Sequence, residues 1–118
     1  MRVRCMKLTE NNEEPWPSDG WLTVSREYEV LCLFIDASRG ILLRLMSDNK
    51  TTPALFSAKL FEITEPTIPH NWIVTKGKLG DYSLGPKAWS DVGFWERFFD
   101  GEDEAVVIFR EQVRVMNS

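Results

Sequence analysis

The sequence predicts a mainly β domain, a partly open barrel with one or two helices packed on it at the C-terminal end. Three observations lead there. Residues 22–63 read as three β-strands joined by short turns, and proline and glycine punctuate the stretch that follows. Apolar residues take helical spacing only after Gly85. We expect one domain over residues 1–118, with the barrel at about 1–84 and the helical segment at about 86–116.

The first strand of the central stretch is expected at Leu22–Ile35. Its opening half alternates between apolar and acidic residues, which is the period-2 pattern of a half-buried strand. From Leu31 onward the second face turns apolar as well, so the middle of the strand should lie between the barrel interior and a packed helix. The expected inward face comprises Tyr28, Val30, Cys32 and Phe34, opposite Glu27 and Glu29.

Further strands follow the same reasoning. Gly40–Met46 should form the second strand, with Arg44 interrupting its outer face, and 54–63 the third. An N-terminal strand is expected within Met1–Leu8. In the second strand Ile41, Leu43 and Leu45 should share one face, and in the N-terminal strand Val3 and Cys5 should share one face. Short strands are also expected at 71–75 and 82–84.

The C-terminal part is predicted to be helical. Pro86 suits the first position of a helical turn, where its missing N–H costs nothing. Phe94–Phe99 has apolar residues at helical spacing, and Gly101 ends it. Glu102–Met116 carries acids in its first turn and arginines in its second half, the order that suits a helix dipole. The β-prone run Ala105–Phe109 leaves a strand as the alternative there.

Composition narrows the class of protein. No apolar run approaches the roughly 20 residues that cross a bilayer, and charges alternate through the N-terminus, unlike a secretion signal. A net charge of −4 argues against binding nucleic acid through phosphates. Cys5 and Cys32 lie on apolar strand faces, so we expect buried free thiols and a cytoplasmic, reducing location.

The sequence offers no recognisable reaction centre. His70 is the one histidine, in a proline-flanked loop, and it has no identifiable nucleophile beside it. One histidine and two isolated cysteines cannot complete a zinc site, and no glycine pattern matches a phosphate-binding loop. We therefore predict a protein without catalytic residues, metal or cofactor, one that acts by binding.

Two acidic clusters are the candidate partner-binding sites. The first lies in the polar loop 9–20, where Trp16 is either a lid on the barrel or an exposed anchor for a partner. The second places five acids within residues 96–104, which either face a basic partner or favour a helix N-terminus. The loop is the stronger candidate of the two, because the acids of the second cluster have a competing structural role at a helix N-terminus. These acids lack the spacing of a calcium-binding loop. The candidate residues are Glu13, Glu14, Trp16 and Asp19 in the loop, and Glu102, Asp103 and Glu104 at the helix junction.

The run Leu22–Leu31 resembles the first core strand of small SH3-like barrels, although Ser25 stands where that motif usually has glycine. Later stretches are similar to small bacterial proteins that add a C-terminal helical segment to such a barrel. Members of that group occur as immunity proteins beside polymorphic or contact-dependent growth-inhibition toxins. The stretches concerned are 53–56, 60–63, 71–72 and 93–101.

The resemblance implies an SH3-like fold and a cytoplasmic immunity protein that binds a cognate toxin domain, expected to be a nuclease, and occludes its active site. It carries over no catalytic residue. The alternative is a non-enzymatic adaptor or regulatory module that binds a peptide or protein partner on the barrel. Neither function requires nucleic acid or a membrane.

Overall fold

The computed structural model of the chain describes residues 1–9, 21–50, 52–77 and 79–117. Within them the chain forms an antiparallel sheet followed by two helices. The strands are β1 (Arg2–Cys5), β2 (Glu27–Asp36), β3 (Gly40–Met46), β4 (Pro53–Ser57), β5 (Phe61–Glu65), β6 (Trp72–Lys76) and β7 (Tyr82–Pro86), and the helices are α1 (Phe94–Phe99) and α2 (Asp103–Met116).

Several predicted elements are confirmed. The second strand spans Gly40–Met46 as expected, and α1 has the predicted bounds. Gly101 follows α1 with a φ of 77°, the left-handed conformation that ends helices. The run Ala105–Phe109 is helical, so the strand alternative is wrong. The acids of its first turn and the packing of Ala105 and Phe109 against the sheet favour the helix.

The long strand β2 is the centre of the sheet. Along one edge it pairs with β3, which pairs in turn with β4. Its other edge is shared: the first half pairs with β1 and the second half with β7. β5 then extends the sheet from β1, and β6 extends it from β7. The described strands form one antiparallel sheet that does not close on itself.

The prediction of which β2 side chains point inward is wrong beyond Val30. A β-bulge shifts the register against β3 between Val30 and Cys32, and the side-chain alternation reverses there. Tyr28 and Val30 therefore pack in one cluster, whereas Leu31 and Cys32 pack in another. The prediction that both faces of β2 are covered is confirmed, because the helices pack over the second cluster.

Two clusters of buried residues result. Cluster 1 lies among the strands and includes Leu43 and Leu45, as predicted. Cluster 2 joins β2 to the helices through Leu31, Cys32, Trp89, Phe94, Ala105 and Phe109. Phe34 is only half-buried at the edge of cluster 2, and Ile41 is exposed near the β2–β3 turn, contrary to its predicted inward position.

Other boundaries also differ from prediction. The first strand begins at Glu27, not Leu22, because Ser25 adopts a left-handed φ of 76° in a turn. That is the conformation which glycine adopts most readily. The third strand is two strands, β4 and β5, separated by a 3-10 turn at Ala58–Leu60. Pro86 ends β7 and precedes the next 3-10 turn, Lys87–Ser90, instead of occupying its first position.

A buried tyrosine fixes the segment that leads into β2. The Tyr28 hydroxyl donates to Asp48 Oδ1 at 2.7 Å and accepts from the Thr23 amide at 2.7 Å. Arg26 also donates to Asp48 Oδ1, at 2.9 Å. Burial acts to raise the pKa of Asp48, but the bonds from Thr23, Tyr28 and Arg26 outweigh it and lower that pKa.

Candidate functional site

The predicted loop site lies outside the described residues. This applies to Glu13, Glu14, Trp16 and Asp19, and so to the question of whether Trp16 is a lid or an anchor. The candidate surface that the structure does describe is the helix junction.

The junction acids are all exposed. Glu102 is the N-cap of α2, and Asp103 and Glu104 occupy its first turn. Glu96 lies in the first turn of α1 and Asp100 is its C-cap. Within the described part of the chain, none of these carboxylates forms a side-chain hydrogen bond or an ion pair. We call Glu96, Phe99, Asp100, Glu102, Asp103 and Glu104 together the junction surface.

Phe99 is an exposed aromatic residue among these acids. Its side chain is 52% exposed. Glu96 lies three positions before Phe99 and four before the C-cap residue Asp100, so each of the two neighbours Glu96 on the helix surface. The junction surface therefore offers an aromatic ring flanked by unpaired carboxylates.

Helix electrostatics account for some of these acids but not for Asp100. Acids in the first turn of a helix are stabilised by the dipole, which explains Glu96, Asp103 and Glu104. Asp100 lies at the C-terminal end of α1, where a negative charge is unfavourable, and it repels Glu96 four residues before it. The charge of Asp100 therefore slightly lowers the stability of α1.

An aromatic cluster holds the junction on the sheet. The Trp89 ring stacks on Phe109 with centroids 5.1 Å apart, and Trp95 packs edge-on against Trp89 at 5.6 Å. Arg44 projects from β3 beneath Trp95, with its guanidinium carbon 4.0 Å from the ring centroid. Because α1 and α2 share these contacts, the junction surface is presented by a packed framework.

Arg44 is the buried residue that sequence reasoning missed. It was expected to interrupt an outer strand face, but the helices cover it and leave 7% exposed. Its Nη1 donates to the Pro53 carbonyl at 2.8 Å, and no carboxylate among the described residues pairs with it. Burial lowers the pKa of Arg44, and burial raises the pKa of the adjacent Cys32 thiol to about 12.

A groove runs along the outer face of β7, between the β6–β7 turn and α1. Its volume is about 220 Å³. Phe34, Trp89 and Trp95 form aromatic walls, and the charged groups among its described lining residues are Asp81 and Asp91. Sequence analysis missed this groove, since Trp89 and Trp95 approach Phe34 only when the helices fold back over the sheet.

The described residues provide no evident reaction centre. His70 is exposed and forms no side-chain hydrogen bond or ion pair with another described residue. Cys5 and Cys32 are buried free thiols, as predicted. Within the described ranges no three His, Cys, Asp or Glu side chains group closely enough to hold a metal ion, and no helix is long and apolar enough to span a membrane.

Comparison of the chain with models of protein families, with curated proteins and with solved structures gives no match in any of the three.

Proposed function

We propose that this chain is a non-enzymatic, cytoplasmic protein of the immunity type, with an SH3-like arrangement of its strands. It binds a cognate toxin domain and neutralises it. The observation that carries the proposal is the junction surface, where the half-exposed ring of Phe99 lies in a segment of exposed carboxylates that pair with no other described residue. The resemblance of the strand and helix motifs to immunity proteins supplies the kind of partner.

The chemistry of the surface specifies a partner with a basic face. Clustered carboxylates accelerate association with a positively charged protein and fix its orientation. An aromatic side chain at the centre of such a contact contributes affinity once it is desolvated. A nuclease toxin has the required face, because its substrate groove must attract phosphates with Lys and Arg.

Neutralisation follows by occlusion. The junction surface covers the basic groove of the toxin, and substrate can no longer enter. Asp100 fits this role because its charge is unfavourable at the end of α1 and no described residue pairs with it, whereas a basic partner supplies a counter-charge.

The groove along β7 favours one other function. A concave surface with aromatic walls is suited to a peptide segment, as expected of an adaptor or regulatory module of SH3-like type. In that case the partner is bound at this groove, and the junction acids contribute little.

The test uses the product of the gene immediately upstream. It is expressed alone and together with this chain, and growth and complex formation are measured. We expect growth arrest by the upstream product, rescue by this chain, and an association rate that falls with added salt. The doubly reversed variant Asp103→Lys/Glu104→Lys should associate more slowly and rescue less well.

The charge control is Glu62→Lys/Glu65→Lys, which changes the net charge equally but places the change on β5; its melting midpoint is measured as well, because Glu62 forms an ion pair with Arg4 at 3.1 Å. It should rescue like the unmodified chain. Equal loss in both variants would mean that net charge alone matters and would contradict the junction surface. An upstream product that is neither toxic nor bound by the chain would contradict the immunity function itself.

A further inference from the structure

The groove along β7 has the size of a side-chain pocket. Its volume of about 220 Å³ falls below the roughly 300–1,000 Å³ of sites for small molecules and cofactors. The groove is also open, lying between the β6–β7 turn and the start of α1. These dimensions suit one long side chain that projects from a partner.

The composition of its walls selects a planar cation. Phe34 and Trp95 provide most of the aromatic surface, since Trp89 is 4% exposed and stacked on Phe109, and a guanidinium group packs well on such surface. Both charged residues among the described lining are acids, Asp81 and Asp91. Two carboxylates beside aromatic rings match the hydrogen-bonding fork of arginine better than the point charge of lysine.

The carboxylate of Asp81 lies against the backbone of Gly77. A Cβ atom at Gly77 would lie 2.3 Å from Asp81 Oδ1, so the absence of a side chain at this position leaves room for the carboxylate. Arg44 lies 4.0 Å from the ring centroid of Trp95 and 5.7 Å from that of Phe34, bonds to the Pro53 carbonyl and does not line the groove, so an incoming cation would pack on the ring surface that Arg44 leaves open.

We propose that this groove receives a single arginine side chain from the basic partner. The inference rests on the proposed function, since it supplies a specific anchor for the same kind of partner. It adds a second contact on the α1 side of the molecule: the junction surface attracts the basic face, and the groove fixes one arginine of that face between aromatic walls and Asp81 and Asp91.

The experiment needs no identified partner. The ¹⁵N-labelled chain is titrated with the capped peptide acetyl-Gly-Arg-Gly-amide, and the indole N–H resonances of Trp89 and Trp95 are followed by NMR. The control peptide carries citrulline, which has the shape of arginine without its charge. We expect saturable shifts of both indoles with the arginine peptide, weakened by salt, and at least about threefold weaker binding of the citrulline peptide.

Two variants locate the binding. Asp81→Asn/Asp91→Asn should weaken binding of the arginine peptide about threefold to tenfold, whereas Glu62→Gln/Glu65→Gln, with the same charge change on β5, should leave it unchanged. Equal shifts by both peptides, no saturable shift, or an equal effect of the two variants would overturn the arginine site. The peptide result does not depend on toxin neutralisation, so failure of the proposed function remains distinguishable from failure of this site.

Discussion

The guanidinium of Arg44 lies 4.0 Å from the centroid of the Trp95 ring, and this contact couples β3 to α1. Phe34 and Phe99 complete the surroundings of the guanidinium, at 5.7 and 5.8 Å. A buried arginine without a carboxylate would be costly, so the aromatic faces and the Pro53 carbonyl provide the compensation that water gives elsewhere. The stack thus holds in place the helix that carries Phe99 and Asp100.

A double-mutant cycle measures this contact. Arg44→Met and Trp95→Leu should each lower the free energy of unfolding, and the two losses should not add. We expect a coupling of about 1–2 kcal/mol, because a desolvated cation–π pair is worth about that much. Denaturant titrations of the four proteins give the value. Additive losses would show that the two residues stabilise the fold independently.

Gly85 is predicted to be intolerant of a side chain. A Cβ atom there would lie 2.7 Å from the Cys32 Cβ, because β7 approaches β2 closely at this point. Gly85→Ala should cost about 1–3 kcal/mol of stability through overpacking. The same change in a Cys32→Gly background should cost clearly less, as seen by thermal melting. An equal cost in both backgrounds would place the strain elsewhere.

Leu43 and Phe34 should differ in their contribution to the core. Leu43 is 4% exposed within cluster 1, so Leu43→Ala should cost about 2–5 kcal/mol. Phe34 is only half-buried and also lines the groove, so Phe34→Ala should cost less than Leu43→Ala. Melting midpoints check the order. An unchanged midpoint for Leu43→Ala would mean that the register of β3 is wrong.

Substitution of Asp100 should weaken partner binding without lowering the stability of the fold. Asp100→Lys removes repulsion with Glu96 and places a cation at the C-terminal end of α1, so stability should stay equal or rise by a few tenths of a kcal/mol. Glu104→Lys puts a cation in the first turn of α2 and should lower stability by a similar amount. Both reversals should slow association with the toxin partner. Loss of stability in Asp100→Lys would show that its carboxylate has a structural role.

Stability at alkaline pH should depend on Cys32. Burial raises the pKa of its thiol from 9.0 to about 12, so the folded state keeps a proton that the unfolded state releases. The contribution is complete below pH 9 and is lost as the pH rises from about 9 to about 12, by up to about 1.4 kcal/mol per pH unit. Cys32→Ala should show a shallower decline over that range, measured by denaturant unfolding. Parallel curves would mean that the Cys32 thiol titrates alike in both states.

Local patterns in the sequence determined the elements whose signals are short-range. Gly40–Met46 is bounded by a glycine turn and a polar loop, and the helical spacing of apolar residues in Phe94–Phe99 ends before Gly101, so their bounds could be predicted. The buried thiols also followed from strand alternation. The acids of the junction could be located in the sequence, because charge and helix capping are read from neighbouring residues.

Only the tertiary structure decided how the two faces of β2 are used. The bulge between Val30 and Cys32 arises where one strand passes from pairing with β1 to pairing with β7, and nothing local distinguishes that point in an apolar run. The same long-range arrangement buries Arg44 and brings Trp89 and Trp95 beside Phe34 to form the groove. These features depend on contacts between residues far apart in the chain, whereas sequence periodicity reports only on neighbours within a few positions.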